Sequence, residues 1–222
     1  MNPPPSPAAF RRRLLRWSES NRRRFLWRRR RVTPWQVLVS EFFLRKTGAA
    51  KVDPVVRELL RRAPTPRAMA SMRHASLVKL ITPLGLQNVR AKALREIART
   101  LVREHGGRVP RDADVLRALP HVGRYMANSV LTVGFGEPRP VVDANIMRIM
   151  NRVFGVPTAI EIHKADSLWE FAQRFLPRGD VEKSKEVNWA LVDFGALVCR
   201  AREPLCPECP MRRTCLFAQR RK

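Results

Sequence analysis

The chain has 222 residues, 45% of them hydrophobic, which suffices for one large domain or two small lobes with a true core. Lys plus Arg number 44 against 19 Asp plus Glu, a formal net charge of +25 that repels itself unless a polyanion is near. Nucleic acid is the natural partner, because each neutralised phosphate releases counterions. No run of 18 apolar residues occurs, so no transmembrane helix and no membrane partner are expected.

Residues 1–9 (MNPPPSPAA) are proline-rich and expected to be disordered. From Arg11 to Arg31 there are eleven arginines and one acid. Phe10, Leu14, Leu15, Trp17, Phe25, Leu26 and Trp27 interleave with them, so part of this segment should pack on the body. The remainder reads as helix. Thr33-Pro34-Trp35-Gln36 offers a threonine cap, proline at the first position and glutamine at the third. An apolar stripe of Trp35, Leu38, Val39, Phe42 and Phe43 follows. Further helices are predicted over 51–62, 75–82, 89–105, 112–119, 124–134, 144–154, 163–176 and 182–198, with breaks at Pro64, Pro83-Leu84-Gly85, Gly106-Gly107 and Gly155. No sustained period-two pattern and no internal repeat is present, so the fold class is all-α.

Residues 112–135 form a candidate hairpin. Asp112 can cap a short helix, Leu119-Pro120-His121-Val122-Gly123 makes a tight turn, and a second helix starts at Arg124. Backbone N–H groups at such a helix start make an anion site, to which Arg124 adds charge. An ordinary packing corner would share this pattern. After it comes Val141-Val142-Asp143-Ala144-Asn145, then a helix with Ile146, Ile149, Met150 and Val153 on one face. Asp143 suits an N-cap. The apolar residues before it suggest partial burial, and a semi-buried carboxylate near a sugar can stabilise an oxocarbenium-like state or activate water. Glu41 lies beside Val37, Leu38 and Leu44, where desolvation should raise its pKa; a salt bridge to Arg45 is the plainer role. Tyr125, the one tyrosine, opens the second hairpin helix, where it can stack or donate a hydrogen bond.

All four cysteines, Cys199, Cys206, Cys209 and Cys215, fall within 17 residues as C-x6-C-x2-C-x5-C. Short loops between ligands keep closure entropy small. Structural zinc sites use two separated knuckles. One tight pair with single cysteines on either side favours a 4Fe–4S cluster over zinc, and zinc over disulfides.

Taken together, the hairpin, the aspartate twenty residues beyond its glycine and the cysteine loop resemble the helix-hairpin-helix superfamily of base-excision DNA glycosylases, over roughly Phe10 to the end. The resemblance implies a 4Fe–4S cluster on the four cysteines. It implies two helical lobes with an active-site cleft between them: a six-helix lobe over 32–140 containing the hairpin, and a cluster lobe from 10–31 and 141–222 with its loop at 199–215. Family members usually have glycine where His121 stands, because the turn can require positive φ there. Histidine tolerates that region better than most residues.

The family branch acting on thymine or uracil fits best. A lysine nucleophile is absent, since Tyr125 occupies its place, so lyase activity is not expected. Ser40-Glu41-Phe42-Phe43-Leu44-Arg45-Lys46-Thr47 and Val142-Asp143-Ala144-Asn145 match that branch as well. The implied activity is monofunctional removal of thymine or uracil mispaired with guanine in double-stranded DNA, leaving an abasic site, by an intracellular monomer of the cytoplasm and nucleoid. Adenine removal opposite guanine or 8-oxoguanine is the alternative, and a non-catalytic damage-sensing module is a second. On this resemblance Asp143, Glu41 and Tyr125 are catalytic. Val122, Gly123, Arg124 and Tyr125 hold the phosphate backbone, while Arg45, Lys46, Leu86 and Gln87 fill the gap left by a flipped nucleotide.

Overall fold

The computed structural model describes residues 3–220, and every regular element among them is helical. In chain order the α-helices are α1 Pro7–Asn21, α2 Pro34–Leu44, α3 Ala49–Arg62, α4 Pro66–Ser71, α5 His74–Ile81, α6 Gln87–His105, α7 Ala113–Ala118, α8 Arg124–Ser129, α9 Ala144–Phe154, α10 Asp166–Gln173, α11 Val181–Leu197 and α12 Leu216–Gln219. None is long and apolar enough to cross a membrane. The chain divides into two compact units, Met1–Arg23 with Pro138–Lys222, and Arg24–Glu137.

Several boundaries differ from the sequence reading, each for a local reason. Met1 and Asn2 lie outside the described residues. Pro7, Ala8 and Ala9 are not disordered: Pro7 sits in the first turn of α1, and Ser6 Oγ accepts the Ala9 N–H at 3.2 Å. The arginine-rich segment splits between the units at 23/24 rather than passing whole to the cluster-bearing part. Arg23 Nε donates to the buried Asp193 at 2.6 Å, which ties it to the discontinuous unit. Just beyond, Phe25 stacks on Trp27 and the Leu26 N–H donates to Asp53 Oδ1 at 2.7 Å, which ties 24–31 to the other. At the second crossing, Asn188 Nδ2 donates to Arg139 O and Asn188 Oδ1 accepts the Val141 N–H, so 138–140 belong with α11.

In the Arg24–Glu137 unit the central element is α2. Its first turn is fixed by the expected box: Thr33 Oγ1 accepts from Gln36 N, and Gln36 Oε1 accepts from Thr33 N. The reading of a single apolar stripe underestimates it. Val37, Leu38, Val39, Ser40, Glu41, Phe42 and Phe43 are all buried, because α2 packs against α3, α8 and the π-helical segment Val130–Gly134 on different sides. Gly134 permits that crowding, since a Cβ there would stand 2.8 Å from Pro34 Cα. The short α4, begun by a Thr65 cap and Pro66, has no apolar periodicity to announce it.

In the discontinuous unit, α1 packs on α11, and α11 packs on α9. Fully buried Phe10 is the anchor: its ring stands edge-on to Phe154, Phe175 and Phe194, with centroids 5.3, 5.5 and 6.4 Å away. Such edge contacts add to the area that these rings bury. The apolar face of α9 is buried as the pattern requires, at Ile146, Ile149, Met150 and Val153.

Candidate active site and cysteine loop

In the Arg24–Glu137 unit, Glu41 is buried mid-helix on α2, and its Oε1 accepts a hydrogen bond from Ser129 Oγ of α8 at 2.6 Å. A helix covered on all sides thus carries a carboxylic acid into an apolar interior, where a hydroxyl partner offsets part of the desolvation cost. Tyr125 stands half-buried in the first turn of α8.

The hairpin has the expected course. Asp112 Oδ1 accepts from Asp114 N and Val115 N, and α8 begins at Arg124 after Gly123. His121 does adopt positive φ, at 62°. Its ring Nε2 lies 3.0 Å from Glu96 Oε2, and its carbonyl accepts from Arg45 Nη1 at 3.1 Å. One expected amide is otherwise engaged: the Val122 N–H donates to Leu119 O at 3.2 Å, closing the turn, and the side chain is buried. Val122 therefore braces the turn from within, leaving Gly123, Arg124 and Tyr125 as its outer residues. Lys46 (φ 58°) and Leu86 (φ 52°) also lie in the left-handed region. Each such non-glycine conformation costs about 1–2 kcal/mol. Leu86 is 67% exposed despite its apolar side chain, and Gln87 begins α6 beside it.

In the discontinuous unit, Asp143 is the N-cap of α9, as its residue type suggested. Oδ1 accepts the Ile146 N–H at 2.8 Å, and Oδ2 accepts Asn145 Nδ2 at 2.7 Å. The carboxylate is also half-exposed, between buried Val141-Val142 and exposed Ala144. A chain of contacts runs on from it. Asn145 Oδ1 accepts from Arg148 Nη2 at 2.8 Å; that nitrogen also donates to Gly195 O, and Arg148 Nε donates to Cys199 O at 2.8 Å. Gly195 allows α9 and α11 to meet here, because a Cβ would fall 2.7 Å from Asn145 Cβ.

The four cysteines are unpaired and line one cavity, walled otherwise by Val153, Phe194, Val198 and Phe217 among others. Donors point at the sulfurs. Met211 N–H reaches Cys209 Sγ at 3.4 Å, and Arg152 Nη1 reaches Cys199 Sγ at 3.7 Å while also holding Arg200 O at 2.6 Å. Burial pushes the Cys209 thiol up to about 12 and raises Cys215 as well. Among the described residues no three His, Cys, Asp or Glu side chains converge on a single-ion site. The sulfurs surround a shared space instead.

A family model for HhH-GPD superfamily base excision DNA repair proteins matches residues 39–175, which include Glu41 and the second half of α2, the hairpin and Asp143. The chain belongs to that family.

Similarity extends beyond the matched span. The HhH-GPD protein is 41% identical over 210 residues to a thymine-DNA glycosylase of Aeropyrum pernix, covering 94% of each chain. It is 38% identical over 215 residues to a thymine/uracil-DNA glycosylase of Pyrobaculum aerophilum, covering 96% of this chain and 93% of that one. Its fold superposes on a thermostable thymine-DNA glycosylase with a TM-score of 0.87 at 30% identity, covering 96% and 97% of the two chains. This HhH-GPD protein is a DNA glycosylase of base-excision repair: it binds DNA and hydrolyses N-glycosyl bonds.

Sequence reasoning misses several residues that brace the candidate site residues of this HhH-GPD protein. Ser129, Asn188 and Gly195 meet their partners across 88, 47 and 50 residues of chain, and nothing in their immediate neighbourhood signals it. Asn145 and Arg148 are more legible, because they share one face of α9 with its cap, three residues apart.

Proposed function

We propose that this glycosylase is monofunctional and removes thymine or uracil mispaired with guanine, leaving an abasic site. The observation that carries the reading is tyrosine at 125, in the first turn of α8, where the endonuclease III-like branch places its lysine nucleophile. Without an amine there, a water must be the nucleophile. Two of the most similar relatives bear thymine or thymine/uracil names, in keeping with the same choice.

The chemistry follows from the residues. The target nucleotide leaves the stack, at a lower cost where it is mispaired. The bond from C1′ to the base nitrogen breaks with its electron pair going to the base. Asp143, fixed by Ile146 N–H and Asn145, stabilises the positive sugar and aligns water, whose oxygen joins C1′ as a hydroxyl while the one proton it releases ends on the leaving base. Glu41, set by Ser129, and the Tyr125 ring contact the flipped base. Gly123, Arg124 and Tyr125 engage the backbone phosphates. Arg45, Lys46, Leu86 and Gln87 occupy the vacated stack and touch the orphan guanine; exposed apolar Leu86 suits a wedge.

Cys199, Cys206, Cys209 and Cys215 fit a 4Fe–4S cluster: four thiols around one largely apolar cavity, with N–H donors aimed at sulfur. When bound, the cluster supplies structure, fixing the loop that carries Arg200, Arg202 and Arg212 toward phosphate. The enzyme is read as a monomer acting on intracellular DNA. The test is base release from matched panels of G·T, G·U and A·8-oxoguanine duplexes. Preference for the adenine duplex would reject the choice, and would recast Glu41 as the acid that protonates adenine.

A further inference from the structure

Among the described residues, four non-glycine positions have positive φ, and three of them fall in the Arg24–Glu137 unit: Lys46, Leu86 and His121. Strained backbone of this kind persists only where its surroundings over-determine it. One side chain supplies much of that restraint. Arg90, near the start of α6, donates from Nη1 to Leu84 O at 3.2 Å, and from Nη2 to Arg45 O at 3.0 Å and Thr47 Oγ1 at 2.8 Å. Arg45 and Thr47 flank Lys46 on its two sides, and Leu84 lies two residues before Leu86. Arg45 passes the restraint on, since its own Nη1 donates to His121 O at 3.1 Å. Glu96, further along α6, engages the His121 ring.

We propose that Arg90 is a positioning residue for DNA engagement: one guanidinium on α6 locks the loop at 84–86 to the loop at 45–47 and, through Arg45, to the hairpin turn. The three strained segments then approach a duplex as one preset surface. Two cations close together are unfavourable, and Arg90 depresses the Arg45 guanidinium pKa in addition to the larger effect of burial. The carbonyl and hydroxyl acceptors hold them together nonetheless. Only a planar fork reaches three acceptors in three directions; a lysine ammonium on a flexible stem does not reproduce it. The benefit is preorganisation: loops ordered in advance lose less freedom when DNA binds. The inference rests on the reading that Lys46, Leu86 and the hairpin turn face DNA.

The experiment compares wild type, Arg90→Lys and Arg90→Ala in two measurements. Amide hydrogen exchange on free protein reads the brace alone. Affinity for a duplex with a tetrahydrofuran abasic analogue opposite guanine, relative to an undamaged duplex, reads its use, and does not depend on which base the enzyme removes. Arg90→Ala should speed exchange at 45–48, 84–87 and 121–123 together and lower the discrimination about tenfold, with Arg90→Lys between. Faster exchange confined to 84–90, or none, overturns the brace. Faster exchange at all three segments with unchanged discrimination overturns the role in DNA engagement, and with it the assignment of these loops as DNA contacts. A different preferred base in the duplex panel, by contrast, would leave both measurements standing.

Discussion

Arg148 donates from Nε to the carbonyl of Cys199 at 2.8 Å, and so joins the helix that begins at Asp143 to the first cysteine of the loop. The same guanidinium holds Asn145, whose amide donates to Asp143 Oδ2. Removing this link should misplace the carboxylate that the proposed mechanism aims at C1′. Arg148→Ala is expected to lower the single-turnover rate of base release by about 10²-fold, with affinity for undamaged duplex little changed. An unchanged rate would mean that the cap alone fixes the carboxylate.

On the proposed mechanism Asp143 has two jobs, capping α9 and stabilising the sugar, that one substitution separates. Asparagine caps helices about as well as aspartate, so Asp143→Asn should fold and bind DNA normally. Base release should fall by about 10³-fold, because the negative charge is gone. Tyr125→Lys is the complementary change, and is expected to nick the strand at abasic product. Gel analysis with and without alkali distinguishes the two products, and an absence of nicking would show that position 125 does not face the sugar.

Gly195→Ala should be costly for a residue with no side chain. The added Cβ would lie 2.7 Å from Asn145 Cβ, a rigid neighbour next to the backbone. Overpacking of this kind destabilises by about 1–3 kcal/mol. Urea denaturation should show a lowered midpoint, and the rate of base release should fall as Asn145 is displaced.

The cysteine loop should titrate in a defined direction. Burial, the largest cause, holds Cys209 protonated up to about 12, so the iron of the proposed cluster would have to expel a proton to bind it as thiolate. Cluster assembly is expected to release protons and to be more complete at about pH 8 than at about pH 6, measured by bound iron. For the cluster-free protein the sign is opposite. A thiol raised above its ordinary 9.0 contributes stability below that pH and loses it as pH rises through about 12. Iron removal by a chelator should also lower the unfolding temperature.

Local chemistry made much of this legible in advance. The Thr33–Gln36 box, the Asp112 cap, the helix start at Arg124 and the positive φ at His121 each depend on residues within a few positions of one another. The apolar face of α9 follows from its period. What the sequence hides is of two kinds. Partners distant in chain, such as Ser129 with Glu41 or Asn188 with Val141, leave no periodic trace. Competition is the other: Val122 N–H reads as an outward donor until the turn closes on Leu119 O. Arg45 likewise reads as a partner for Glu41 at i+4, yet its guanidinium reaches the hairpin carbonyl.

The position of Phe10 bears on how the molecule is made. Its ring is packed among Phe154, Phe175 and Phe194, so this aromatic cluster cannot assemble until residue 194 has left the ribosome. The stretch from 24 to 137 has its interior within its own sequence and is free to mature earlier in synthesis. Until residue 194 emerges, α1 waits with its greasy side uncovered and its arginines in solution. That row of like charges, repelling neighbouring nascent chains, is its safeguard against aggregation in the interval.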